Sequence, residues 1–481
     1  MSIDALSTEW TELQRPAPEW FRDAKFGLFF HWGPYSVPAY MNEWYSRNMY
    51  AKGLEQNIYH EKTYGKLHDF GYKDFLPMWH ADRFDPDEWA DLVVRSGAKY
   101  AGPVTEHSDN FSMWNSSVNP VNAMNYGPCR DVVGECFRAF RSRGIRTLAT
   151  FHHQWMWGWF MSTDNEADVY DPENEKFYGP CLPLETNRYL PYRYPDERFC
   201  TNWLEKINEV VDHYAPDVVY FDGRTCIIDE RYRKAMVEHY YLHSGLTEPI
   251  ITFKQQDFPM GTGVYDIECG RFDAPKAFVW QTDDRLENKV TWCYVQDPKY
   301  KPAREIIQQL SDVVAKNGNL LLNVGPEANG AFHPDAVREL ELVGKWLSVN
   351  GEAIYGTRPF RVAAEGPSVI SDENYDVNKI EGQIQKGEAA ASTAVRLGEQ
   401  DFRFTTKKDS LFVIAMDWPS NGTYHIQTLR RGGALEQPVR SVTMLGTGEM
   451  LPFEQREDGL YITVGQKPDA GVSVYAMQIM V

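Results

Sequence analysis

The stretch D-V-V-Y-F-D-G-R, Asp217 to Arg224, decides how this chain reads. Val218 to Phe221 form an apolar and aromatic run that meets Asp222 directly, and Gly223 and Arg224 follow at once. A short apolar run bounded by a turn signal reads as a buried parallel strand. A carboxylate at the C-terminal end of such a strand sits where barrel enzymes keep their chemistry. The competing reading is an Asp that only caps the next helix, because Asp-Gly is also an ordinary turn signal.

Working outward, six more short apolar runs read as strands: 26–32, 100–107, 146–153, 250–254, 279–283 and 320–324. Helical stretches fall between them. Pro86 to Ser96 has Pro in its first turn and Gly97 after its end. Arg130 to Arg143 ends at Gly144, and Asn202 to Tyr214 stops before Pro216. Glu305 to Lys316 sets Ile306, Leu310 and Val313 on one stripe, with Gly318 beyond. Alternating strands and helices argue for a parallel sheet, and this many units for a closed (β/α)8-like barrel over residues 1–355, although only seven strands are visible. From 356 to 481 the pattern changes to short runs with period-two tendencies separated by Gly and Pro turns. S-L-F-V-I-A-M-D and V-S-V-Y-A-M-Q-I-M are examples. That reads as an antiparallel β-sandwich. The insert from Ser162 to Asp196 reads as a long loop on the barrel.

The 481 residues, 43% of them hydrophobic, suffice for two or three domains. Aromatic residues make up 14% of the chain, enough to stack on the apolar faces of sugar rings as well as to fill a core. A net charge of −19 argues against nucleic acid and anionic membranes as partners. The seven Cys include no C-x-x-C, which speaks against a zinc cluster or a disulfide framework. No run approaches a membrane span, and the start M-S-I-D-A-L-S-T-E-W lacks a signal-peptide pattern. The compartment stays open between cytoplasm and a processed periplasmic or secreted protein, and so does self-association.

Polar residues cluster at the predicted strand ends: His31, Glu106 and His107, His152 and His153, Asp222, and Lys254. In a parallel barrel these ends converge on one mouth. Glu43, after the first strand, and Glu268, after the fifth, are further acids in loops of the same rim. Retaining glycoside hydrolysis needs one carboxylate as nucleophile and one as acid/base, about 5 Å apart. Each lone His or Glu also has a bland reading, as a satisfied core residue or a surface charge. Metal is the weaker reading, since adjacent His152 and His153 point to opposite faces of a strand. No G-x-S-x-G and no G-x-G-x-x-G after a strand occurs, against Ser-His-Asp catalysis and a dinucleotide cofactor.

W-F-R-D-A-K-F-G-L-F-F-H-W-G-P-Y-S-V-P from Trp20, E-W-Y-S-R-N-M-Y, D-V-V-Y-F-D-G, N-G-N-L-L-L-N-V-G-P-E-A-N-G and V-G-K-W-L-S-V-N-G-E-A-I-Y-G together resemble the retaining α-L-fucosidases of glycoside hydrolase family 29. The resemblance implies a barrel followed by a β-sandwich, no metal or organic cofactor, and fucosylated oligosaccharides or glycans as substrate. By position it implies Asp222 as nucleophile, and His31, Glu43, Trp44 and His107 as contacts to the sugar. Tyr220 stands where a Trp is common. Y-D-I-E-C-G-R resembles the pattern D-x-E-R-G, which makes Glu268 the acid/base, with Glu287 and Glu43 as rivals. His152 and Lys254 join the binding residues as strand ends. Ser108 and Asn110 depart from H-H-D-G-F, and Cys269 from E-R-G. These departures leave two alternatives: a fucose-binding protein with little hydrolysis, or a hydrolase of a related sugar such as an α-L-galactoside.

Overall fold

Strands buried on both faces read as near-continuous apolar runs, as Phe26–Phe30 and Val218–Phe221 do, whereas Trp280–Arg285, equally buried, carries Gln, Thr, Asp and Arg. The computed structural model describes residues 8–179, 181, 194–254, 257–368 and 397–481. Eight parallel strands close in sequence order: β1 Phe26–Phe30, β2 Tyr100–Glu106, β3 Arg146–Phe151, β4 Val218–Phe221, β5 Ile250–Lys254, β6 Val264–Asp266, β7 Trp280–Arg285 and β8 Gly318–Asn323. The eighth strand that the sequence reading lacks is β6. Three residues are too few to display a period, and only pairing to β5 and β7 makes Val264–Asp266 a strand. Glu268 therefore follows the sixth strand, not the fifth. The helices run Val132–Ser142, Glu197–Tyr214 and Ala303–Ala315, offset by up to five residues from the expected ends. Asp131 and Asp196 set two of the true starts by accepting hydrogen bonds from backbone amides of the first turn. Pro334–Asn350 adds a long helix to the ring.

Side chains alternate across each strand. Val218 and Tyr220 belong to the lumen cluster with Phe29, Tyr100, Leu148, Ile250 and Leu321, whereas Val219 and Phe221 face the outer helices. Asp222 continues the inward set. β2 breaks the rule usefully: its pairing with β3 shifts between Val104 and Glu106. That bulge turns Glu106 outward, onto Lys206 and His153, and His107 inward. Within the insert, the described residues carry short turns of helix, Asp168–Tyr170, Pro172–Asn174 and Glu175–Tyr178. Residues 180 and 182–193 of that insert lie outside the described residues.

The C-terminal part is the expected antiparallel sandwich. With β9 Arg358–Glu365, β10 Phe402–Lys407, β11 Ser410–Ala415, β12 Thr423–Ile426, β13 Ser441–Met444, β14 Phe453–Gln455, β15 Leu460–Thr463 and β16 Tyr475–Met480, one sheet orders β13-β16-β11-β10-β9 and the other β12-β15-β14. β11 is buried on both sides. Leu411, Val413 and Ala415 pack in the core between the sheets, while Phe412 and Ile414 join the core of the barrel helices. Polar ties seal the junction. Gln308 Nε2 donates to Leu397 O and Met416 O, Trp346 Nε1 to Val474 O, and Arg403 Nε pairs with Asp312 Oδ1 at 2.5 Å. Phe412→Ala should cost about 3–5 kcal/mol, the price of a large side chain removed from a closed core. Denaturant unfolding measures it. A loss below about 1 kcal/mol would show that the sheet merely lies against the barrel.

Candidate active site

Every inward position at the C-terminal end of the barrel carries a polar group. One cation sits at the centre. Lys254 Nζ lies 2.6 Å from Asp222 Oδ1, 2.7 Å from Glu268 Oε2 and 3.0 Å from Asp283 Oδ2. Sharing one ammonium at 2.6 and 2.7 Å caps the separation of those Asp222 and Glu268 oxygens at 5.3 Å, the linear case. Burial works against the charge on Lys254, yet Asp222, Asp283 and Glu268 outweigh it and hold the ammonium well above its ordinary pKa. Burial also works against ionised Asp222, but the ammonium of Lys254 holds that carboxyl well below the usual range. Glu268 goes the other way: burial raises it, and the charges of Asp283 and Asp222 add to the rise against the pull of Lys254. Two neighbouring carboxyls are thus pushed apart, one toward the anion and one toward the acid.

Tyr220 stands under this group. Its ring belongs to the lumen cluster, and its hydroxyl reaches Asp283 Oδ2 at 3.1 Å and Asp222 Oδ1 at 3.3 Å. Deeper still, Gln281 Nε2 donates to Asp266 Oδ2 at 2.7 Å, and Tyr100 donates to Gln281 Oε1 at 2.9 Å. Burial, then the charge of Asp283, raises Asp266 well above a normal carboxyl.

Beside Asp222 three imidazoles meet. The ring centroids of His31 and His107 are 5.6 Å apart, those of His31 and His152 5.4 Å, and those of His107 and His152 4.7 Å. His152 Nε2 is 3.4 Å from Asp222 Oδ2. Burial lowers all three pKa values, that of His31 to about 3, so the rings are neutral. His31 Nδ1 donates to Asn323 Oδ1 at 2.7 Å, and Asn323 Nδ2 donates to Trp292 O at 2.5 Å. His153 turns outward, as its neighbour's inward direction requires, and pairs with Glu106.

The remaining candidates take different places. Glu43 is buried, and its Oε2 accepts from Trp292 N at 2.8 Å; burial raises its pKa to about 7. Trp44 packs on Trp159 and Trp155 at the rim, and Trp155 Nε1 donates to Asp222 O at 2.7 Å. Glu287 is not brought into the centre: its Oε1 accepts from Lys299 N and Lys289 N in a loop beyond β7. Asp283, Asp266 and Asn323 escape the sequence reading. No local signal marks them: β6 is too short to show a period, and β7 and β8 are buried along their whole length, so the sequence does not display which face is inside.

The departures from the family pattern have local explanations. Asn110 occupies the position of a Gly at φ +64°, a conformation Asn tolerates. Its amide adds ties, Oδ1 accepting from Lys206 Nζ and Nδ2 donating to Lys176 O and Phe177 O. Ser108 removes one ring from the second strand end, and His152 on the third places another beside His107. Cys269 stands where the pattern has Arg, yet Arg285 reaches its Sγ from β7 at 3.2 Å.

The α-L-fucosidase family profile matches residues 3–352, and that of the α-L-fucosidase C-terminal domain residues 398–479. The tissue α-L-fucosidase of Bos taurus is 31% identical over 478 residues, covering 96% of this chain and 88% of its own. That of Homo sapiens is 29% identical over 477 residues, covering 96% and 89%. The Thermotoga maritima α-fucosidase in complex with fucose superimposes with a TM-score of 0.73 at 25% identity, over 98% of this chain and 99% of its own. The same enzyme with a mechanism-based inhibitor gives 0.75 at 25%, over the same shares. These likenesses favour a hydrolase over a sugar-binding protein without activity. A complete barrel mouth, a paired carboxylate centre and matches along both domains agree: this chain belongs to the α-L-fucosidase family.

Proposed function

We propose that the protein is an exo-acting, retaining α-L-fucosidase in which Asp222 is the nucleophile and Glu268 the acid/base. The observation that carries this reading is the shared ammonium. A carboxyl separation of at most 5.3 Å between the bound oxygens suits double displacement and leaves no room for a water between Asp222 and the sugar. In the first step an oxygen of Asp222 bonds to the anomeric carbon while the bond to the aglycone oxygen breaks, and Glu268 gives that oxygen its proton. In the second, Glu268 takes a proton from water, the water oxygen bonds to the anomeric carbon, and Asp222 leaves. The raised pKa of Glu268 suits the acid role and the lowered pKa of Asp222 the nucleophile role. Glu43 and Glu287 contact neither Lys254 nor Asp222 among the described interactions, which favours Glu268 over both.

His31, His107, His152 and Glu43 offer polar groups to the sugar hydroxyls, and Trp44 and Tyr220 offer aromatic carbon. Residues 1–355 serve as the catalytic unit and 356–481 as its brace. The substrate class is a glycan or oligosaccharide that ends in α-L-fucose. Proton NMR of nitrophenyl α-L-fucoside hydrolysis tests the stereochemistry: α-L-fucose should appear first, and an initial β-anomer would mean inversion and a different use of Asp222.

Azide separates the two carboxylates. Asp222→Gly should lose activity on the order of 10⁴-fold or more, and azide should attack the substrate itself to give the β-fucosyl azide. Glu268→Ala should still form the glycosyl-enzyme from an activated aryl fucoside. Azide then attacks that intermediate, and the product is the α-fucosyl azide. Exchanged anomers, or rescue of Glu43→Ala in place of Glu268→Ala, would overturn the assignment.

Lys254→Met leaves three buried carboxyls without their cation. It should destabilise the fold by about 3–5 kcal/mol. Lys254 lowers the Asp222 pKa, so its loss raises it. Because activity needs ionised Asp222, the acidic limb of kcat/KM should move to higher pH. A limb that stays in place would show that Lys254 does not tune the nucleophile.

A further inference from the structure

Three strand ends bring three imidazoles together, and their arrangement suits a ligand other than a sugar. One ring nitrogen from each of His31, His107 and His152 lies within 4.8 Å of the other two. All three residues are buried, with relative exposures of 3%, 5% and 3%. Each directly follows one of β1, β2 and β3, adjacent strands of one barrel. The sequence could not show this: it set His152 beside His153, whereas the partners of His152 are 45 and 121 positions away.

The surroundings resemble those of metal-binding histidines. His31 spends its Nδ1–H on Asn323 Oδ1 at 2.7 Å, which leaves Nε2 as the nitrogen with the lone pair. Asn323 is itself anchored to Trp292 O. Such a fixed outer partner sets the tautomer and orientation of a ligating imidazole. The Nδ1 atoms of His107 and His152 are buried without a hydrogen-bond partner. A carboxylate oxygen, Asp222 Oδ2, stands 3.4 Å from His152 Nε2 as a fourth donor. Lys254 is the cation next to this group, and it is shared among three carboxyls. The local field therefore does not repel a second cation.

We propose that the pocket of His31, His107 and His152 binds one divalent transition-metal ion such as Zn²⁺, with Asp222 completing the set, and that sugar and metal exclude each other. Zinc takes imidazole nitrogens at about 2.0–2.1 Å in a tetrahedral array, which places them roughly 3.4 Å apart. Rotation of the rings by about 1 Å inward from the present spacing meets that demand. The exclusion follows because a metal occupies the same nitrogens and the same Asp222 that the sugar needs. That second half rests on the proposed function, and the first does not. The consequence is an enzyme inhibited by traces of zinc or copper and restored by a chelator.

Calorimetric titration of the metal-free, full-length protein with zinc chloride tests the first half without any turnover. One ion per chain should bind, with a dissociation constant in the micromolar range or below. Cobalt chloride in its place should give the visible absorption of four-coordinate Co²⁺. His31→Ala and His152→Gln should each weaken binding at least tenfold, and Asn323→Ala, which touches no ion, by about tenfold. Anomalous diffraction from zinc-soaked crystals of the unaltered protein locates the ion whatever those variants do. Absence of saturable binding below about 1 mM, or an ion found away from the three rings, overturns the proposal. Nitrophenyl fucoside hydrolysis by the metal-free protein, measured in parallel, reports separately on the fucosidase reading. Fucose should displace the bound ion in proportion to its occupancy, and simultaneous binding of both overturns the exclusion.

Discussion

A single buried ammonium holds the catalytic end of this barrel together. Taking charges out of water is costly, and one cation shared by three carboxyls is a poor match unless some of the anions are relieved. The structure relieves them by geometry. Tyr220 donates toward Asp283 and Asp222, and Asp266 below them is raised well above a normal carboxyl by its burial. Lys254 is thereby fixed from several sides, and it fixes Asp222 and Glu268 in turn. Their spacing follows from this one contact set, and so does the lowered pKa of Asp222, whereas at Glu268 burial outweighs the same contact and raises the carboxyl. Without it the same residues would be a cluster of mutually repelling acids.

How much of this was legible beforehand depended on whether a signal was local. The apolar run into Asp222, and the strand ends at His31, His107, His152 and Lys254, are local, and the sequence displays them. β6 is not local: Val264–Asp266 is a strand only because β5 and β7 flank it, so the sequence displays seven strands and sets Glu268 after the fifth, where the structure has the sixth. The bulge in β2 is invisible for the same reason, although it decides that His107 and not Glu106 faces the mouth. Asp283 lay at the end of a recognised strand and was passed over, because nothing in V-W-Q-T-D says which face is inside. The choice between Glu268, Glu43 and Glu287 likewise needed Lys254 in three dimensions.

The departures from the family pattern are met by residues elsewhere. Asn110 keeps the left-handed backbone of the Gly it replaces and uses its side chain to tie the wall of the insert to Lys206. The guanidinium missing at Cys269 arrives from Arg285, and the ring missing at Ser108 has its counterpart in His152.

The doubly covered strand β11 bears on the order in which the protein can mature during synthesis. All eight barrel strands have left the ribosome by about residue 325, and the helix Pro334–Asn350 soon after. Yet the apolar flank of the barrel helices is completed only when Phe412, Ile414 and Ala476 arrive. Phe412 lies 62 residues beyond Asn350 and Ala476 lies 126 beyond it, so the nascent barrel waits with part of that flank open to solvent. That interval is where a chaperone would engage this chain, and where aggregation during overexpression would begin.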